Sequence, residues 1–117
     1  MTTPIEAYKQ FIDKLVAIHP GVLPRWIRGD GFPRTRENAA FNELLQTLSA
    51  PQREVLATMV QEARAEGIHD TLVVLDAYRL ATHDGVALPV TPFMESLHYD
   101  FVSRREGDDW PEAVENE

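Results

Sequence analysis

The sequence predicts an all-α fold, a compact bundle of about five helices. Three observations carry this. Apolar residues recur at three- and four-residue steps along most of the chain. Cap-like pairs such as Thr3-Pro4 and Ser49 with Gln52 stand at the starts of those stretches. The links between them are short, apart from one irregular loop rich in Arg, Gly and Pro. The central stretch, Ser49–Ala81, reads as the core hairpin: two helices hinged at Gly67.

The first helix opens at Thr3-Pro4-Ile5-Glu6, with Thr3 as N-cap, Pro at the first helical position and Glu6 closing a capping box. Ile5, Tyr8, Phe11, Ile12, Leu15 and Val16 form its apolar stripe. His19-Pro20-Gly21 ends it, because a residue before Pro avoids the helical region. Gly21–Thr35 is the irregular loop. Within it Pro24–Arg28 is expected to make a short helical piece stopped at Gly29 and pinned by Trp26 and Ile27. Thr35 is a cap for a third helix to about Leu48, with Ala40, Phe41, Leu44, Leu45 and Leu48 as its stripe.

Ser49 and Gln52 have capping-box spacing, and Pro51 costs little in a first turn. Val55, Leu56, Met59, Val60 and Ala63 then share a face. Gly67 is placed to close that helix in a Schellman end, with Ile68 folding back. The second arm starts near His69 or Asp70. Its run Leu72-Val73-Val74-Leu75 is apolar on more than one face and so calls for neighbours on several sides. His83-Asp84-Gly85 breaks this arm, and Val86–Val90 is extended. Thr91-Pro92 resembles a further cap, opening a last helix to about Arg104. Leu97, Tyr99 and Phe101 also alternate, so an edge strand over 97–102 fits the pattern as well.

The chain has 117 residues, a length that suits one domain. The expected organisation is a helical domain over residues 1–105 and an acidic tail over 106–117, whose charge favours disorder and whose Trp110 offers the alternative of docking back on the body. There is no cysteine, which excludes disulfides, zinc–thiolate sites and cysteine nucleophiles and fits a cytoplasmic protein. No stretch has the roughly 20 apolar residues of a membrane span. The net charge of −8 opposes general binding to nucleic acid or to an anionic membrane. That charge is uneven. Arg25, Arg28, Arg34 and Arg36 meet only Asp30 in the loop, whereas Glu106, Asp108, Asp109, Glu112, Glu115 and Glu117 crowd the tail.

Candidate chemistry is sparse. His69-Asp70, His83-Asp84 and His98 with Asp100 each pair an imidazole with a carboxylate. In order, His19, His69-Asp70 and Asp100 resemble the ligand series of the HD-domain metal-dependent phosphohydrolases, an all-helical superfamily. That resemblance implies a metal-dependent hydrolase, with those residues as ligands. It departs in context, since the dipeptide follows Gly67 at an expected helix start, whereas the family's lies deep in the helical core. The simpler reading is preferred: Asp70 caps a helix, and His83-Asp84-Gly85 is a turn. On one helix His69 and His83 would stand roughly 21 Å apart, which excludes a four-histidine site but not a smaller one. No metal or other cofactor is therefore expected.

The loop arginines suit a carboxylate or phosphate, because guanidinium binds both in bidentate fashion. Pairing with Glu37, Glu43 or the tail is the competing use of the same charges. Trp26 and Trp110 are residue types enriched at binding hot spots, and each also suits a structural anchor. No nucleophile elbow, zinc-protease helix, calcium loop or dinucleotide fingerprint is present. The sequence therefore points to a small acidic, non-enzymatic protein-interaction module with a protein partner or a second copy of itself. The alternative is an anionic ligand at the Arg25–Arg36 loop. Arg25, Trp26, Arg28, Arg34, Arg36 and Trp110 are the residues expected to bind.

Overall fold

The computed structural model describes residues 3–78, 82–83, 85–89 and 96–111, and they are mostly helical. In order come α1 (Pro4–Ile18), α2 (Leu23–Arg28), α3 (Ala39–Thr47), α4 (Ala50–Tyr78) and α5 (Leu97–Arg105). Between α4 and α5, β1 (Thr82–His83) and β2 (Val86–Ala87) make a two-residue antiparallel pairing, Thr82 opposite Ala87 and His83 opposite Val86. The chain divides into two compact units, His19–Glu66 and Met1–Ile18 with Gly67–Glu117.

In the second of these units α1 begins as its sequence requires. The Thr3 amide donates to Glu6 Oε2 at 2.9 Å, and the Glu6 amide to Thr3 Oγ1 at 3.2 Å. Two of the donors left over at a helix start are thus satisfied reciprocally. The α1 stripe packs against α5, and Tyr8, Ile12, Leu72, Leu88, Leu97 and Phe101 form the buried core. Ile68 and Leu75 of α4 lie against the same cluster.

The His19–Glu66 unit has a smaller core of Ile27, Leu45 and Ala57, flanked by Phe32, Leu48, Leu56 and Val60. Ile27 is buried as expected, and Trp26 stacks edge-on against Phe32 with centroids 5.5 Å apart. The Ser49–Gln52 capping box forms at 2.9 and 3.2 Å.

Four expectations are corrected. The first is the hairpin: α4 runs unbroken for 29 residues through Gly67. Thr71 Oγ1 donates to the Gly67 carbonyl at 2.8 Å within the helix. A helical Gly costs only about 0.5–1 kcal/mol relative to Ala. Breaking the helix there would strand the polar groups of two new ends. Before Gly67 the helix gives Ala57 and Val60 to one core, and after it Ile68, Leu72 and Leu75 to the other. With no helix start at 69–70, Asp70 caps nothing. His83 lies in β1 rather than on α4.

The second concerns faces. Val55 and Met59 point outward, each 61% exposed, while Ala57 is fully buried. In α3, Phe41 and Leu44 are also exposed, and Asn42 and Leu45 turn inward. The third is the Leu72–Leu75 run: Leu72 is buried, but Val73 and Val74 face solvent. The fourth concerns helix starts. Thr35–Asn38 is a series of turns ahead of α3. Ser96 is extended and caps α5, its Oγ accepting from the Tyr99 amide at 3.1 Å. That rules out the edge strand over 97–102. The expected cap at Thr91-Pro92, the turn residue Asp84 and the tail beyond Pro111 lie outside the described residues.

Candidate functional site

The residues singled out by sequence fall into both units, and each unit has its own arrangement. In His19–Glu66, α2 carries Arg25, Trp26 and Arg28, and the segment that follows carries Arg34 and Arg36. Arg28 is held in a two-pronged pair with Glu54 of α4, Nε to Oε2 at 2.7 Å and Nη2 to Oε1 at 2.9 Å. That hydrogen bond lowers the Glu54 carboxyl below its ordinary range and raises the Arg28 guanidinium. Both side chains are well exposed, so the pair adds little stability. Its partner is Glu54 rather than the expected Glu37, Glu43 or tail.

Among the described residues Arg34 reaches the Asp30 carbonyl alone, at 3.4 Å. Arg25 and Arg36 are exposed and make no ion pair among the described residues. The arginines therefore do not converge on a single fork.

Two residues that sequence reasoning passed over organise this unit. Arg53 spreads its guanidinium over two main-chain ends. Nε and Nη2 donate to the Leu45 carbonyl at 3.0 and 2.8 Å, and Nη1 donates to the Gly29 carbonyl at 3.0 Å. Both carbonyls belong to helix C-termini, of α3 and α2, where a cation offsets the partial negative charge. Asn42 is 8% exposed and clamps the loop. Its Oδ1 accepts from the Phe32 amide at 2.8 Å, and its Nδ2 donates to the Phe32 carbonyl at 3.1 Å. Gly31 makes room for the clamp: its φ is +97°, and a Cβ there would lie 2.5 Å from Asn42 Oδ1. A polar residue inside the α3 stripe was the available signal, and it was passed over. Gly31, Arg34, Asn42 and Arg53 help line a concavity of about 230 Å³. A second, of about 380 Å³, lies beside Arg28, Arg53 and Glu54.

In the other unit Trp110 is half-buried. Its indole meets Tyr8 edge-on, with centroids 6.1 Å apart, and its Nε1–H points to Asp13 Oδ2 at 3.3 Å. Asp13 also accepts from Arg104, Nε to Oδ1 at 2.8 Å. The Arg104 guanidinium lies 5.0 Å from the indole centre and the Lys9 ammonium 5.8 Å. Arg104 Nη1 donates to the Asp108 carbonyl at 2.7 Å. Beneath this, the Tyr8 hydroxyl donates to the buried Asp100 at 2.7 Å. Burial first, then the hydrogen bond and charge of Asp100 and the charge of Asp76, push the Tyr8 phenol far above its ordinary value. Asp76 accepts from the Leu97 amide at 3.1 Å. Tyr99, Asp100, Ser103 and Trp110 border a cleft of about 260 Å³.

The histidine–carboxylate series does not assemble. His19 belongs to one unit and His69, Asp70 and Asp100 to the other. Asp70 is exposed in mid-helix beside His69, and Asp100 is engaged by Tyr8. Among the described residues no group of three or more His, Asp or Glu side chains is placed to hold a metal ion.

None of the curated proteins and none of the solved structures compared matches the chain. One family model covers nearly the whole of it. Matched over residues 1–112, the chain belongs to the family described as "Family of unknown function (DUF6547)".

Proposed function

We propose that this is a non-enzymatic interaction module that binds a protein partner through the outward faces of α3 and α4 in the His19–Glu66 unit. One observation carries the reading: Phe41, Leu44, Val55 and Met59 are all more than half exposed, at 51, 53, 61 and 61%. Single exposed apolar residues are ordinary, but four large ones on two consecutive helices in a small unit suit recognition. The outward positions around them include the exposed Glu43 and Glu66, and the chain carries a net charge of −8. A partner with apolar side chains framed by Lys or Arg complements that surface, whereas a second copy of this chain brings like charge. The cysteine-free composition supports a cytoplasmic setting. Among the described residues no helix is long and apolar enough to cross a membrane.

The test is a partner identified by cross-linking and then purified, with its affinity measured against the double variant Val55→Asp with Met59→Asp. The expected result is a loss of affinity of about tenfold or more with helicity unchanged, since both positions face solvent. Unchanged affinity would remove the reading. A dimer of the protein alone, abolished by the same variant, would replace the partner with a second copy.

A second reading rests on Arg25 and Arg36, whose charges no acid offsets among the described residues. In it Arg25, Trp26, Arg28, Arg34 and Arg36 present an anion-binding loop, and Trp110 a separate contact. Titration with inorganic phosphate and citrate, followed by melting temperature, tests it. A rise that Arg25→Ala and Arg36→Ala abolish favours it, and no rise removes it.

A further inference from the structure

Away from the apolar face, the His19–Glu66 unit has a concavity in which two cations meet no acid. Arg53 of α4 and Arg34 both line the space of about 230 Å³ that Asp30, Asn42 and Gln46 also border. Arg53 is only partly exposed. Of its five N–H donors three go to the Leu45 and Gly29 carbonyls, so two remain. Those carbonyls are neutral, and no carboxylate pairs with this guanidinium among the described residues. A charge drawn partly out of water ordinarily has an opposite charge beside it. Arg34 gives one donor to the Asp30 carbonyl, at 3.4 Å, and makes no ion pair among the described residues. The Gln46 amide makes no hydrogen bond among them either.

We propose that this concavity binds the carboxylate of a small organic acid between Arg34 and Arg53. A guanidinium presents its donors in a planar fork that matches the two carboxylate oxygens. Much of the site is set in advance. Arg53 is fixed by its three main-chain bonds and Asn42 by its two to Phe32, so little is left to order on binding. Arg34, with its single long contact, closes on the ligand from the exposed side, and Asn42 and Gln46 offer further amide donors to it. Asp30 on the rim reduces the two positive charges to a net of +1. That balance suits a singly charged acid and works against a multiply charged phosphate. The site is distinct from the Arg25–Arg36 loop taken as a whole, because Arg25, Arg28 and Arg36 do not line it.

The experiment is a nuclear magnetic resonance titration of the nitrogen-labelled full-length protein with lactate, a monocarboxylate small enough for the space. Lactamide, its neutral counterpart, and inorganic phosphate are titrated in parallel at constant ionic strength. Lactate should shift the Gly31 amide and the Asn42 and Gln46 side-chain amides saturably, with a dissociation constant in the millimolar range. Lactamide should shift none of them, and phosphate should bind more weakly than lactate. Arg34→Ala should weaken lactate binding about tenfold, the loss of a hydrogen bond to a charged group. Arg25→Ala and Arg36→Ala remove the same charge outside the concavity and should change it by less than about twofold at physiological salt. Arg53→Lys keeps the charge without the fork and should also weaken binding. If that variant loses helicity, Arg34→Ala decides alone, since Arg34 is exposed. No saturable shift, equal shifts with lactamide, tighter binding of phosphate, or a loss in Arg36→Ala as large as that in Arg34→Ala would each overturn the proposal.

Discussion

Tyr8 is the side chain on which most of one core converges. It is fully buried, gives its hydroxyl proton to Asp100 and meets Trp110 with its ring. Its raised phenol value means that the folded chain keeps a proton which the unfolded chain releases near pH 10. The resulting stability is complete below about pH 10 and is lost as pH rises beyond it. Tyr8→Phe should therefore lower stability at neutral pH by about 1–3 kcal/mol, since Asp100 loses a buried donor. It should also flatten the alkaline fall in melting temperature. Parallel alkaline limbs for wild type and variant would contradict this assignment. Asn42 is the counterpart in the His19–Glu66 unit. Asn42→Ala leaves the Phe32 amide and carbonyl without their partner and should cost about 1–3 kcal/mol in denaturant unfolding. Gly31→Ala should destabilise as well, because of both its positive φ and the collision with Asn42.

At the scale of elements, α4 is the informative case. Gly67 invites a break when the sequence is read, yet the helix passes through it. A Cβ added at Gly67 meets nothing within 4 Å. Gly67→Ala should thus stabilise the protein by about 0.5–1 kcal/mol, raising the urea midpoint with an unchanged slope. A loss of stability would mean that this glycine is needed as a glycine. Caps were easier to read than breaks. Thr3 with Glu6, and Ser49 with Gln52, are local patterns that need no tertiary knowledge. The choice of buried face was harder. In α3 the more hydrophobic reading puts Phe41 and Leu44 inside, but Asn42 is drawn in by the Phe32 main chain, and the helix turns with it. Such a contact joins positions ten residues apart, and no periodicity encodes it. Of Leu72, Val73 and Val74, expected to be covered together, Leu72 alone is buried, and Leu72→Ala should cost about 2–5 kcal/mol.

For the molecule as a whole, the mostly helical character and the starts of α1 and α4 were legible from spacing alone. The candidate site was less so. The uneven charge is real in the sequence, yet proximity in sequence did not make Arg25, Arg28, Arg34 and Arg36 a cluster. Arg53, which joins the ends of α2 and α3, stood outside the loop that drew attention. Likewise the partners of Trp110 come from α1 and α5, distant in sequence from each other. One tryptophan lies in each unit, Trp26 in His19–Glu66 and Trp110 in the other. Trp26→Phe and Trp110→Phe therefore leave one fluorescent reporter apiece. Because α4 belongs to both units, the two reporters should lose their signals at the same urea concentration. Separate midpoints would show that each unit melts alone.

The unbroken α4 also behaves as a shaft that carries angular phase. Each residue advances the spiral by about 100°. One extra residue spliced in between Ile68 and Leu72 would swing Leu72 and Leu75 a quarter-turn or more from the side on which Ile68 meets the same core. Four extra residues would nearly restore it. Tolerance of the longer insertion alongside failure of the shorter is how a rotational register, rather than mere length, would declare itself.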